Sequence, residues 1–456
     1  MVGPLFPHPN GKTSFWQTAA SDLKDFRSTQ DLPTESEIVV IGGGYSAAAL
    51  VTHILNEATP PATIVVLEAR QLCSGATGRN GGHIKPDPYW HASQVAAEHG
   101  PVAAAELANF ELENLKAVKQ HIEKEGIDCD FVVTRACDVV FSREQAESAR
   151  KALRQMQDMG VAASQDAYAV PEQYAETVSS VKGARGCISF TAAHLWPYKL
   201  VQHMFRSAVD RGVNLQTNTL VTDLAEVVDG NGSSHWVVTT NRGIIRAPKV
   251  VLATNAYTAA LLPEYKDKII PYRGISCKIS TRGQAPLLAN SYGLRFAPWD
   301  FDYLIPRPDG SIIVGGGRSA YFLAKDMWYA NTDDSQGVNE VKRYFEQYMQ
   351  RHFHGWENSG AYVEDIWTGI MGYSSDKLPR LGPVPGKKGL FIMGGWTGHG
   401  MPQIFLASKG MAKMVVSGVP YSETGLPRVF EESEERLMSV KNKVLDSWGE
   451  AIQSKL

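Results

Sequence analysis

Gly42 and Gly44 close the apolar run Ile38-Val39-Val40-Ile41, and Glu68 follows 26 positions after Gly42. Glycines at that spacing leave bare backbone against which a diphosphate can lie. A carboxylate at the end of the next strand can accept hydrogen bonds from a ribose. Tyr45, Ser46 and Ala47 open the segment after the bend, where the free N–H groups and positive end of a helix attract phosphate. Ala47 takes the third glycine position of the pattern, which serves close helix–strand packing and tolerates alanine. An acid at Glu68 disfavours a 2′-phosphate, so NADP fits poorly.

These residues need a frame, and the flanking sequence supplies it. The stretch "EIVVIGGG" reads as a strand breaking into glycines, and Ala49, Leu50, His53, Ile54 and Glu57 then recur at helical spacing. "PPATIVVLEAR" supplies a turn and a second β-branched strand. Strand, glycine turn, helix and strand within about 30 residues form the context that a dinucleotide-binding motif requires. The motif does not separate NAD from FAD.

Two further glycine-rich stretches bear on the ligand. Residues 69–83, "ARQLCSGATGRNGGH", could lie flat against a bulky planar ring or form a mobile surface loop. "GLFIMGG" reads as an apolar strand, and "WTGHGMPQ" turns from it into the helical "IFLASKGMAKMVVSG". That places Gly398, His399, Gly400 and Met401 at a helix N-terminus, a location that favours negative charge. An ordinary glycine turn is the alternative.

Bulk properties bound the rest. At 456 residues and 43% hydrophobic, the chain can bury a large core spread over two or three domains. Lys and Arg number 45 against 48 Asp and Glu, so the net charge of -3 asks for neither nucleic acid nor an anionic membrane. The five cysteines (73, 129, 137, 187 and 277) show no CxxC and no metal-ligand spacing, which fits a reducing interior. "MVGPLFPHPNGKTSFW" has no secretory apolar block, and no stretch approaches the roughly 18–20 apolar residues that span a bilayer. A soluble intracellular protein is expected. Ser454-Lys455-Leu456 reads as a peroxisomal address for an import receptor, and peroxisomes house oxidases that release hydrogen peroxide.

With "GRNGG" at 78–82 after the second strand and "TSFW" at 13–16, the chain resembles the FAD-dependent amine oxidoreductases of the D-amino-acid oxidase superfamily. It is most similar to the gamma-glutamylputrescine-oxidase-like branch. The likeness recurs along most of the chain and is weakest at roughly 90–185. It implies an α/β fold: a Rossmann-like FAD-binding domain of the glutathione-reductase type, interleaved with an α+β substrate domain on a mixed, mostly antiparallel sheet. The order of the matching segments makes both domains discontinuous. Residues 1–90, 186–262 and 363–456 fall to the FAD-binding domain, and 91–185 and 263–362 to the substrate domain.

The resemblance also implies site residues. FAD would be held by Gly42, Gly44, Tyr45, Ser46, Ala47, Glu68, Ala69 and Arg70, and by Ser74, Thr77, Arg79, Asn80, Gly81, Gly82 and His83 of the wrapping loop. Val221 would meet the adenine, Ala253, Thr254 and Asn255 would pass beneath the ribose and phosphates, and Gly395, Gly398, His399, Gly400 and Met401 would close on the ring. Reduced flavin is anionic, so a helix end aimed at it would favour reduction.

The chemistry implied is loss of a hydride from an amine's alpha carbon to flavin N5, hydrolysis of the imine by water, and reoxidation by O2 with release of hydrogen peroxide. It needs few side chains. No catalytic base is nominated, and His399 reads as positional. Arg273, Tyr303, Arg307, Arg318 and Trp367 are candidates for the substrate wall: an arginine would hold a carboxylate, and aromatic rings an ammonium or a methylene chain. Each has a plainer reading as structural charge or core packing. Other readings are a flavin dehydrogenase, a flavoenzyme tailoring a specialised metabolite, and an inactive FAD-bearing binding protein.

Two positions depart from the sarcosine-oxidase pattern. Gly369 stands where a cysteine bonds flavin covalently, and no cysteine follows Cys277, so FAD is expected to be non-covalent, with weaker claims for Cys73 and His83. Ile313 stands where a lysine promotes reaction with oxygen, leaving Lys278 as a substitute cation.

Among the remaining elements, residues 101–126 read as a helix with Leu112, Leu115, Val118, Lys119 and Ile122 on its face. "CDFVVT" and "CDVVFS" read as strands before a charged helix from about Arg143 to Met159, and "NRG" reads as a hairpin turn. The residues before Pro33 read as an arm on the surface.

Overall fold

The computed structural model describes residues 5–58, 62–230 and 232–453. Ile38–Ile41 pairs in parallel with Ile64–Leu67 on one side and Lys249–Leu252 on the other. Every residue of Ile38–Ile41 and Ile64–Leu67 is buried, as parallel strands covered on both faces must be. Asn214–Gln216, Leu390–Gly394 and the antiparallel edge strand Arg380–Pro383 complete a six-stranded sheet. The helix Tyr45–Glu57 starts directly after the glycine bend and packs on Pro197–Asp210 and Ile404–Ser417. Three antiparallel strands, Val221–Val228, Ser234–Thr240 and Gly243–Ala247, form a small cover, with the hairpin turning at Asn241 and Arg242.

The second large layer is a nine-stranded sheet. It runs Tyr362–Ser374, Ile269–Ser280, Ile312–Gly315, Phe301–Pro306, Ser291–Arg295, Val132–Val140, Gly186–His194 and His83–Ile84, with Tyr168–Val170 also paired to Gly186–His194. Its pairings are antiparallel except that of Ser291–Arg295 with Val132–Val140. The fold is therefore α/β with a mixed, mostly antiparallel second sheet. Strands from the stretches 186–262 and 363–456, chiefly Gly186–His194 and most of Tyr362–Ser374, hydrogen-bond within this sheet.

Several local expectations need correction. The two strands read at 129–134 and 137–142 are one strand, Val132–Val140, carried through Arg135 by continuous pairing to Gly186–His194. The helix Pro101–Glu125 buries Glu111 and Asn114 alongside Leu115, Val118 and Ile122, whereas Lys119 is half-buried and bonds Glu123 at 2.6 Å. The helix after the second glycine bend starts at Ile404, so Gly398–Met401 form the turn leading into it. The amino-terminal arm is not superficial. Trp16 and Leu23 are 0% and 1% exposed, because Trp16 packs on Trp196 at 5.5 Å and donates its Nε1 proton to the Asn80 carbonyl at 2.6 Å.

All five cysteines are buried free thiols. No helix among the described residues is long and apolar enough to cross a membrane. Ser454, Lys455 and Leu456 lie outside the described residues.

Candidate active site

The first bend is shaped by what cannot fit there. Gly42 has φ +116°, and a Cβ at that position would lie 2.6 Å from the Ala253 carbonyl oxygen. Only glycine closes this turn. Next to it, Thr77 Oγ1 accepts the Tyr45 N–H at 3.0 Å, tying the wrapping loop to the first helical turn. Glu68 accepts from the Gly43 N–H at 2.7 Å and the Arg70 N–H at 2.9 Å. Burial pushes its carboxyl above the usual range despite these bonds.

The wrapping loop is pinned by charge. Arg70 forks onto the buried Asp334 carboxylate at 2.9 and 3.0 Å, and Arg79 Nε approaches it at 3.4 Å. Buried cations need such a counter-charge. Arg79 also donates to the carbonyls of Ser74 (2.7 Å) and Thr368 (2.9 Å). The Ser14 hydroxyl donates to the Gly78 carbonyl, so the amino-terminal arm clasps the loop from outside.

At the second bend, Gly398 has φ +74°, and a Cβ there would meet the Tyr373 hydroxyl at 2.9 Å. Asn255 Oδ1 accepts the Gly395 N–H at 3.0 Å, linking the first sheet's central turn to this one. Glu111, buried on the long helix, receives the His399 ring at 3.0 Å, Gln403 at 2.8 Å and the Asp87 N–H at 2.7 Å. Burial lowers the His399 pKa, but Glu111 outweighs it and raises the value above that of an ordinary histidine. The imidazole is thus held in place by a carboxylate.

Both bends line one cavity of about 560 Å³. Its wall includes Gly42, Gly44, Tyr45 and Ser46 of the first bend, and Glu68, Ala69 and Arg70 after the second strand. Thr77, Arg79, Asn80, Gly81 and His83 contribute from the wrapping loop, Val221, Ala253, Thr254 and Asn255 from the sheet ends, and Gly398, His399, Gly400 and Met401 from the second bend. Five buried polar atoms of residues on this wall, His83 Nε2, Gln403 Oε1 and the hydroxyls of Tyr45, Tyr257 and Tyr272, have no hydrogen-bond partner among the described residues. Bare backbone at both bends and orphaned polar atoms between them fit an extended dinucleotide.

Four expected cofactor residues stay off the wall. Ala47 is fully buried in helix packing, and Ser74 contributes its carbonyl to Arg79 and Arg70. A Cβ on Gly82 would strike the Leu195 carbonyl at 2.7 Å, so this glycine serves the strand beneath, and Gly395 serves the bond to Asn255.

Of the substrate-wall candidates, Tyr303 and Arg318 reach the cavity, and three do not. Tyr303 is slotted between Gly81 and Gly315, where a Cβ on either would lie 2.2 Å from its ring. Arg273 is a correction: strand alternation turns Tyr272 and Gly274 to the cavity, while Arg273 donates to the Gln336 carbonyl. Arg307 bonds Asp130 at 2.6 Å and lies over the Trp196 ring at 4.7 Å, away from the site. Trp367 is fully buried and donates to the Arg79 carbonyl at 2.8 Å, a strut under the loop. Lys278 pairs with Glu364 at 2.9 Å, Ile313 is buried in the core, and neither lines the cavity.

The same cavity includes an aromatic chamber, to which Tyr373 beside the Gly398 bend belongs. Tyr272 and Tyr373 stack at 4.2 Å, Trp299 and Phe322 at 5.6 Å, and Arg318 lies 4.6 Å over Phe301. Arg318 donates to the Trp299 carbonyl and the Tyr373 hydroxyl, both at 3.2 Å. Arg295, 5.7 Å over the same Phe301 ring, belongs to a network absent from the sequence reading. Asp138 is bonded by Lys85, by the Tyr89 hydroxyl at 2.9 Å and by Arg295 at 3.0 and 3.1 Å. Burial acts to raise the Asp138 pKa, but Arg295 and Lys85 hold it well below the carboxylate range. Gly293 leaves room for the network, since a Cβ there would lie 2.3 Å from Asp138. Lys85 could have been suspected, two residues beyond His83, but Asp138 and Arg295 carry no local signal.

The DAO family, described as FAD dependent oxidoreductase, matches residues 37–414. The chain belongs to that family, and FAD is the cofactor its cavity is built to hold. Among curated relatives, gamma-glutamylputrescine oxidoreductase of Escherichia coli (strain K12) is 22% identical over 422 residues, covering 88% of this chain and 88% of its own. Among solved structures, glycine oxidase from Geobacillus kaustophilus aligns with TM-score 0.69 at 18% identity, covering 85% of this chain and 96% of its own. L-proline dehydrogenase from P. horikoshii aligns with TM-score 0.68 at 19% identity, covering 88% and 98%. The two structures share the fold.

Proposed function

We propose that the chain oxidises the C–N bond of an amine or amino acid and delivers the electrons to O2, releasing hydrogen peroxide. The observation that carries this reading is one cavity that takes in the Gly42 bend, the Gly398 bend and an aromatic chamber with Arg318 in its wall. Bound FAD supplies the hydride acceptor there. The chain's own residues bind, orient and exclude water. Arg318 keeps guanidinium donors for a carboxylate after its two bonds to neutral acceptors. The Tyr272–Tyr373 stack gives a flat wall for an apolar or cationic body. His399, fixed by Glu111, would hold the bend against a bound cofactor. No cysteine lines the cavity among the described residues, which supports non-covalent FAD.

An amine panel tests the reading, with sarcosine, pipecolate, D-amino acids, polyamines and glycated amino acids, a peroxide readout and an anaerobic control. At least one amine should bleach the flavin without air and yield peroxide in air. If none bleaches it, the amine assignment is wrong. One observation favours a second reading, a flavin dehydrogenase: Ile313 and Lys278, the positions weighed for promoting reaction with oxygen, both lie off the cavity wall, although Lys85 and Lys377 line it. Bleaching without peroxide would select it. Peroxide release would suit the compartment to which Ser454-Lys455-Leu456 would direct the chain, and imaging fusions with and without that tripeptide tests the address.

A further inference from the structure

The cavity wall starts earlier in the chain than the dinucleotide motif. Phe6 and Pro7 line it along with Glu68, Arg70 and Val221. Leu5 packs on the apolar cluster that holds Val221 and Leu262. These residues precede the stretch 37–414 that matches the DAO family.

The first residues of a domain are poorly ordered unless they are tied down. His8, Lys12, Ser14 and Trp16 tie this arm. The His8 carbonyl accepts from Arg70 at 2.8 Å, and the Lys12 N–H donates to the Asp334 carbonyl at 2.9 Å. The Lys12 ammonium pairs with Asp365 at 2.8 Å, on the strand Tyr362–Ser374. The Ser14 hydroxyl donates to the Gly78 carbonyl, and the Trp16 indole to that of Asn80. Gly11 presses on the buried ion cluster: a Cβ there would lie 2.6 Å from Arg70 Nη1, 2.7 Å from Asp334 Oδ1 and 2.8 Å from Arg79 Nη2. Pro7 and Pro9 stiffen the arm, so less freedom is lost when it docks.

Arg70, Arg79 and Asn80 also line the cavity, so the groups that hold the arm shape the cofactor's wall as well. Arm and cofactor are thereby linked: by whatever factor the docked arm tightens FAD, FAD tightens the arm. We propose that residues 5–16 belong to the FAD site as a strap over the cofactor's adenosine half, with Phe6 and Pro7 against it, and that the strap sets how fast FAD is released. The inference concerns the cofactor and holds for any substrate.

Hydrogen exchange on the whole chain, with FAD and after its removal, tests the coupling without turnover. Amides within 5–16 should exchange about tenfold or more slowly in the flavin-loaded form, while those of Ser234–Thr240 serve as the reference. Phe6→Ala should release FAD about tenfold faster than wild type on dilution, followed by the fluorescence of free flavin, at the scale of one large apolar contact. Ser14→Ala should release it about threefold faster, at the scale of one hydrogen bond. Arm amides that exchange equally with and without FAD, or a Phe6→Ala variant that keeps the wild-type release rate, overturn the strap. The exchange measurement uses the unaltered chain, so it decides the matter even where a variant does not fold. Yellow protein with an indifferent arm sinks the strap alone; colourless protein that refuses FAD sinks the strap and the grip of the two bends together.

Discussion

At the Gly42 end of the cavity the wall includes bare backbone, with a turn closed by glycine where an added Cβ would lie 2.6 Å from the Ala253 carbonyl. At the Arg318 end it is side chains delivered by separate strands and by two helices, Trp90–His99 and Lys443–Gln453. A backbone wall fixes the shape of what lies on it and tolerates little change. A side-chain wall can be re-lined without refolding, which is how one fold serves different substrates. The loop between them, carrying Arg70 and Arg79, belongs to neither kind, since both its cations share one buried carboxylate, Asp334.

That middle region should give the largest effect. Asp334→Ala leaves two buried guanidiniums without their counter-charge and should destabilise the fold by about 3–5 kcal/mol, read by denaturant unfolding. A loss below about 1 kcal/mol, the scale of a surface pair, would show that solvent already screens them. Gly42→Val comes next. The clash with Ala253 and the strained φ should cost FAD affinity about 100-fold, or roughly 3 kcal/mol, measured by titrating deflavinated protein. Full affinity in this variant would erase the distinction between backbone and side-chain walls.

Acid should not distinguish the two ends. Burial lowers His53, His194 and His352 to about 4, against an ordinary 6.5, and these residues are spread over both large layers. Between those values the unfolded chain binds protons that the native chain does not, so stability falls as pH drops from 6.5 towards 4. Each histidine contributes up to about 1.4 kcal/mol per pH unit. Asp302, raised to about 6 by burial, acts in the opposite sense above 3.8, as do Glu68 and His399, but His83, His91 and His121 are lowered by burial as well, so the lowered histidines outnumber the raised groups. Unfolding at pH 7 and pH 5 should show the loss; equal or greater stability at pH 5 would contradict it.

Arg318→Gln should lower kcat/KM for a carboxylate-bearing amine by about tenfold or more while flavin content is unchanged, sharpening the contrast with Gly42. The smallest effect belongs to Lys278→Gln, expected to change flavin reoxidation by less than about twofold, since Lys278 pairs with Glu364 outside the cavity. A large drop would return that lysine to the reaction.

The same contrast explains what could be read from the sequence. The strand, bend and helix at 38–57 follow from local periodicity and from glycines that nothing else can replace. The second bend was legible as a bend. Its helix start was not, because residues 395–403 are held by distant Asn255 and Glu111. Arg307 and Arg318 look alike in sequence, and Asp130 with Trp196 draws one away while the Trp299 carbonyl and Tyr373 keep the other at the cavity. Trp367 and Arg273 show no local mark of which strand face they take. Lys377 and Ser447 meet on the cavity wall only when the last helix folds back, so neither could be chosen beforehand. The buried amino-terminal arm did carry a signal, two adjacent aromatic residues in "TSFW", too large a hydrophobic surface to leave in water.

The claim on which the rest stands is that the Gly42 and Gly398 bends grip a single FAD. A crystal structure of the flavin-loaded protein tests it most directly. Density for one FAD should run from the Gly42 bend, with its diphosphate on the start of Tyr45–Glu57, to a ring beside Gly398–Met401. Flavin bound elsewhere, or reaching only one of the two bends, would contradict it.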